Sequence, residues 1–147
     1  MNLFAEIRSL VIDSLQQMQA QGGLPEGLSF DAGTVEPPRD AAHGDMATNA
    51  AMVLAKRAGK APRDIATLLA GRLGARDGIA AVDVAGPGFI NLRLSPAYWQ
   101  TALARIIASG ERYGAFDLGK GQKINVEYVS ANPTGPLHVG HARGTVF

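Results

Sequence analysis

Near the end of the sequence His138 and His141 stand three residues apart, behind a run punctuated by Pro133, Gly135 and Pro136. At the opening of a helix this spacing puts both imidazoles on roughly one side, within reach of the phosphates of a single nucleotide. The preceding residues suit that use. Lys123 to Val129 reads as a strand, Ala131 to Leu137 as a loop broken by proline and glycine, and His138 to Phe147 as the start of a helix. Strand, loop and helix opening in that order turn backbone N–H groups and the positive helix end toward an anion. Two common versions are excluded. Gly135, Gly140 and Gly144 lack the G-x-G-x-x-G spacing, and no G-K-[ST] completes a Walker loop. Zinc is the other chemistry open to an H-x-x-H pair, but the chain has no cysteine and no third ligand nearby, so no bound metal is expected.

A second pair, Phe89 and Asn91, stands two residues apart on an alternating stretch and therefore shares one strand face. A ring there can stack on a base while the neighbouring amide bonds to its edge, as in a pocket for single-stranded RNA. A phenylalanine on such a strand also serves as core, and both readings stand. His43–Gly44–Asp45 reads as a turn and a helix cap. Arg39, Arg57, Arg72 and Arg93 are candidates to line an RNA path, or are simply solvated.

Several elements must position these groups. Leu3, Phe4, Ile7, Leu10, Val11, Ser14, Leu15 and Met18 recur at helical steps, and Gly22–Gly23 followed by Pro25 should end that first helix. Thr34–Val35–Glu36 reads as a short strand, made an edge by Pro37–Pro38. Asp45 is placed to cap a second helix over Met46 to Arg57, ended by Gly59. Pro62 opens a third, with Ile65, Leu68, Leu69 and Leu73 on one side and Gly74 and Gly78 at its close. Ile79 to Leu94 alternates around Gly86–Pro87–Gly88 and predicts a hairpin. Ser95 and Pro96 then start a fourth helix that runs through Ile106–Ile107 to Gly110. Residues 110–121, with Gly110, Gly114, Gly119 and Gly121, read as a connection between domains.

The chain has 147 residues, 46% hydrophobic, which suffices for one good core and a remnant of a second. Its net charge of +1 gives no bulk field, so any RNA contact must be local. The absence of cysteine fits a reducing cytoplasm, and no apolar run approaches the roughly 18 residues of a membrane span.

The segment Ser130–Ala131–Asn132–Pro133–Thr134–Gly135–Pro136–Leu137–His138–Val139–Gly140–His141, followed by Ala142–Arg143–Gly144, resembles the HIGH signature of class I aminoacyl-tRNA synthetases. Its surroundings resemble the arginyl enzymes. Val139 stands where the signature's name has isoleucine, a small change in volume. His43–Gly44–Asp45 with Ala47–Thr48–Asn49, and Gly86–Pro87–Gly88–Phe89–Ile90–Asn91, resemble stretches of that family's N-terminal accessory domain, so the resemblance covers most of the chain.

The resemblance implies an α+β accessory domain over residues 1–115, helices on a small antiparallel sheet that meets the tRNA D-loop through Phe89 and Asn91. It further implies that residues 116–147 open a Rossmann-like catalytic domain. His138 and His141 would stabilise the transferring phosphate, with Pro133, Thr134, Gly135 and Gly140 also at the ATP. Glu127 would pair with the guanidinium of L-arginine, with Ser130, Asn132 and His141 at its α-amino and carboxylate groups. ATP with Mg²⁺ and tRNA(Arg) complete the partners of a monomeric, cytoplasmic parent enzyme. The chain stops six residues after His141. It is therefore expected to be a fragment, inactive alone but binding tRNA, with residues 122–147 disordered, folded back on the accessory sheet or paired with another copy. A stand-alone RNA-binding module without catalysis is the alternative.

Overall fold

The computed structural model describes residues 2–116, 119–127, 132, 135–136 and 138–145. The chain divides into two compact units, Met1–Gly114 and Ala115–Phe147.

In the first unit, helix α1 covers Leu3–Ala20. It starts where the Asn2 side chain accepts from the Ala5 N–H and buries Ile7, Val11, Ser14, Leu15 and Met18 on one stripe. The Ser14 hydroxyl, wholly inside, donates to the Leu10 carbonyl at 2.8 Å and so carries no unmet polar cost. Strands β1 (Val35–Glu36), β2 (Met46–Thr48), β3 (Ile79–Ala85) and β4 (Phe89–Leu94) form one antiparallel sheet in the order β1-β2-β4-β3. Helices α2 (Ala50–Ala58) and α3 (Pro62–Gly74) join β2 to β3. With α1 they cover one face of the sheet, where Ile65, Leu69 and Leu73 meet Ile90 and Leu92 in the core. Burial of each such side chain is worth about 1.5–3 kcal/mol.

The hairpin turns at Gly86–Pro87–Gly88, and Gly88 is required there. Its φ is +142°, and a Cβ would come within 3.1 Å of the backbone of Pro62 at the start of α3. Helix α4 (Pro96–Ser109) is capped by the Ser95 hydroxyl, which accepts from the Tyr98 N–H at 3.1 Å. It is tied to α1 by Glu6, whose carboxylate accepts from Arg105 at 2.8 Å and from the Tyr98 hydroxyl at 3.3 Å. Burial pushes the Tyr98 phenol above its ordinary pKa, and the adjacent Glu6 charge pushes the same way.

Three expectations need correction. Residues 46–48 do not begin the second helix. They form β2, because Met46 and Thr48 alternate into the core and pair with Leu92 and Ile90. Tertiary pairing here overrides the helix propensity of an alanine-rich run. Asp45 accordingly caps no helix; its N–H donates to the Leu92 carbonyl at 2.8 Å and its carboxylate accepts from the Leu94 N–H at 2.7 Å. Leu68, counted in the apolar face of α3, is half exposed, while Ala66 is buried beside Ile65.

The third correction lies in the second unit. Residues 122–127 form no strand, and Ile124 and Val126 are exposed. A lone extended segment has no ladder partner to satisfy its N–H and C=O groups, so alternation alone does not make it a strand. Tyr128 and Val129, the end of the expected strand, lie outside the described residues. Helix α5 follows at Val139–Thr145.

Candidate functional site

The uncovered face of the sheet carries the first site. Pairing puts Glu36 opposite Ala47, Ala47 opposite Asn91 and Asn91 opposite Asp83, with Phe89 opposite Ala85 in the next row. Residues directly opposite in an antiparallel ladder project to the same side. The two alanines leave space beside the amide and the ring, and the space is a groove of about 610 Å³. That is within the ~300–1,000 Å³ common for small-ligand clefts. Thr34, Glu36, Pro37, Pro38, Arg39, His43, Ala47, Thr48, Asn49, Ala85, Gly86, Phe89 and Asn91 line it.

Phe89 is 43% exposed and so is not a core residue, while Asn91 is 8% exposed at the groove floor. Among the described residues the Asn91 side chain has no hydrogen-bond partner, leaving both donor and acceptor for a ligand edge. Hydrogen bonds within and beside the groove wall hold it. Asn49 Oδ1 accepts from the Thr34 N–H at 3.0 Å, Arg93 Nη2 donates to the Ala42 carbonyl at 3.2 Å, and Arg63 Nη1 donates to the Gly86 carbonyl at 3.0 Å. A flat aromatic face beside a free amide, in a groove open to solvent, can stack a base and read its edge.

Sequence reasoning placed Phe89 and Asn91 on one face but did not join Glu36, Pro37–Pro38 and His43 to them. The signal was non-local: only the pairing of β1 to β2 and β2 to β4 brings these segments together. Of the four arginines considered for an RNA path, Arg39 lines the groove. Arg93 braces its wall, Arg72 is bonded to Gln21 at the end of α1, and Arg57 sits in the last turn of α2.

The second site is at the start of α5. The His138 carbonyl accepts from the His141 N–H at 2.8 Å and from the Ala142 N–H at 3.4 Å, which makes His138 the residue that opens the helix. The two imidazoles come together, with ring centroids 3.9 Å apart and planes at 37°. His141 Nδ1 accepts from the His138 N–H at 3.1 Å, and His138 Nδ1 accepts from the Gly140 N–H at 3.1 Å. With Nδ1 as acceptor, each ring in its neutral form carries its proton on Nε2. A Cβ on Gly140 would lie 3.0 Å from the His138 ring, so glycine leaves room for that ring to fold over the helix start. Glu127, Asn132 and Gly135 are exposed, while Ser130, Pro133 and Thr134 lie outside the described residues. Among the described residues no three His, Cys, Asp or Glu side chains form a metal-ligand group, and no helix is long and apolar enough to cross a membrane.

The sequence model of the arginyl tRNA synthetase N terminal domain matches residues 5–94. The chain belongs to this arginyl-tRNA synthetase family. Arginine–tRNA ligases of Ruegeria pomeroyi and Paracoccus denitrificans are 63% and 64% identical to it over 147 residues, the whole of this chain and 25% of each relative. The chain thus spans about a quarter of the length of these relatives. The arginyl-tRNA synthetase of Thermus thermophilus matches 97% of this chain with 21% of its own, at a TM-score of 0.53 and 26% identity. The Plasmodium falciparum enzyme, at 19% identity and a TM-score of 0.57 over 69% of this chain and 17% of its own, shares the fold. The expected membership of the arginyl-tRNA synthetase family is borne out, as is the architecture of helices on a small antiparallel sheet.

Proposed function

We propose that this chain serves arginine–tRNA ligation as part of a protein of its relatives' length. That protein activates L-arginine with ATP and Mg²⁺ to arginyl-adenylate and transfers it to tRNA(Arg). The observation that carries this reading is the identity of 63–64% to arginine–tRNA ligases over the full length of this chain. Residues 1–115 are the accessory tRNA-binding domain and residues 116–147 the opening of a Rossmann-like catalytic domain. Its setting is the cytoplasm, and the parent is a monomer.

In the activation step the arginine carboxylate attacks the α-phosphorus of ATP, the bond to pyrophosphate breaks, and negative charge builds on the transferring phosphate. Donors already aimed at that position lower the barrier without reorganising. The Nε2–H groups of His138 and His141 supply them, and Pro133, Thr134, Gly135 and Gly140 give ATP its close approach. Glu127 pairs with the arginine guanidinium through two parallel hydrogen bonds, while Ser130 and Asn132, with His141, hold the α-amino and carboxylate ends. Magnesium, carried in with ATP as part of the substrate, would neutralise phosphate charge. In the first unit Phe89 stacks on an unpaired base of the tRNA and Asn91 bonds to its edge.

Aminoacylation of tRNA by the protein of full relatives' length, run across the amino acids, tests the whole reading. Arginine alone should be charged; charging with another amino acid would remove the Glu127 assignment. For the RNA-binding part, titration of a tRNA(Arg) transcript with this chain should show that Phe89→Ala weakens binding about tenfold or more, the loss of one base–aromatic stack. Unchanged affinity in a folded variant would exclude the stacking role.

A further inference from the structure

We infer that Arg39 is the phosphate contact of the sheet-face groove, with His43 beside it as a second donor, so that the groove takes a whole nucleotide and not a base alone. The inference rests on the RNA-binding reading of that groove and names its backbone-recognising side. A nucleotide inserted base-first presents a ring face, a hydrogen-bonding edge and, at the mouth, an anionic phosphate. Phe89 and Asn91 answer the first two. The third calls for a cation at the rim whose charge is not already committed elsewhere.

The arginines sort themselves on that criterion. Arg63 and Arg93 donate to the carbonyls of Gly86 and Ala42 and hold the walls. Arg8 donates to the carbonyls of Gly33 and Asp31, Arg72 to Gln21, and Arg105 to Glu6. Arg39 lines the groove, is exposed, and among the described residues makes no hydrogen bond or ion pair. It follows directly on Pro37–Pro38, whose fixed φ angles stiffen the segment that carries it. His43 closes the short 3₁₀ turn Ala41–His43 on the same rim, also exposed and without a side-chain partner among the described residues.

Glu36 lines the same groove, so the site holds one carboxylate against one guanidinium and has little excess positive charge. Binding should therefore show a shallow salt dependence contributed by a single phosphate, unlike that of a basic surface that tracks several.

The test is titration of a tRNA(Arg) transcript with this chain at a series of KCl concentrations, comparing wild type with Arg39→Ala, Arg39→Lys and Phe89→Ala. Arg39→Ala should weaken binding about three- to tenfold and reduce the log–log salt slope by about 0.7–1. Arg39→Lys should keep the slope, because the charge remains while the planar fork is lost. Phe89→Ala should weaken binding with the slope unchanged. A wild-type slope and affinity in Arg39→Ala, while Phe89→Ala still weakens binding, would overturn the phosphate role and leave the base pocket standing. No effect in either variant would remove the RNA-binding reading of the groove and this inference with it. Because Arg39 is exposed and makes no bond among the described residues, an unchanged urea midpoint should accompany every Arg39 result.

Discussion

Gly44→Ala is expected to lose about 3 kcal/mol of folding stability, a large part of the roughly 5–15 kcal/mol of a small domain. Gly44 has φ +122°, a conformation that a side chain strongly disfavours, and a Cβ there would sit 2.6 Å from the Leu92 carbonyl oxygen and 3.1 Å from its carbon. The obstacle is the backbone of the central strand, so no rotamer change relieves it. The strand can yield only by moving away. Asp45 prevents that cheaply, since its N–H is bonded to the same Leu92 carbonyl and its carboxylate to the Leu94 N–H. Separating β2 from β4 breaks both bonds and the Ala47–Asn91 pairing at the groove floor. Urea denaturation should show a midpoint lowered by about 1–3 M with little change in slope. RNA affinity should fall in parallel. A wild-type midpoint would mean that the two strands can part at this point without cost.

The largest effect on chemistry is expected from His141→Ala in a protein of the relatives' full length. Pyrophosphate exchange driven by arginine should fall about a hundredfold or more, as when one donor to a transition-state oxyanion is removed. This variant removes both the Nε2–H donor and the Nδ1 acceptor that holds the His138 N–H at 3.1 Å. His141→Asn separates them in part, because an amide retains a donor of similar reach. Partial recovery with asparagine would assign the loss to donation. A wild-type rate in His141→Ala would take the residue out of the chemistry and leave it as a cap for α5.

Where sequence pattern and local physics agreed, the elements were legible. The apolar stripe of α1, Pro62 at the start of α3, the turn at Gly86–Pro87–Gly88, and Ser95 with Pro96 ahead of α4 all depend on neighbours within a few residues. Strand β2 was not legible, because three residues before an alanine-rich helix look like its first turn until β4 is placed beside them. Residues 123–127 show the converse. Their alternation suggests a strand, but a strand needs a partner, and pattern alone supplies none. The candidate sites divide in the same way. Phe89 and Asn91 are found by a period of two, whereas Glu36, Arg39 and His43 join them only through the sheet. The roles of Glu127, Ser130 and Asn132 were read from family resemblance, since no spacing rule singles out a guanidinium partner.

The sheet order has a consequence for how the molecule is made. Strand β4 meets β3 across a tight turn, but it meets β2 only after α2, α3 and β3 have all been synthesised. At about 5–20 residues per second, β1 and β2 leave the ribosome on the order of seconds before the strand that completes them. During that interval the side of β2 that will meet β4 is open, while β1, its partner on the other side, is an outer edge then and in the finished sheet; Pro37–Pro38, directly after β1, removes two backbone donors there. The prolines that border the finished groove thus also guard the outer edge of the sheet against pairing with the wrong chain, from the time β1 is made.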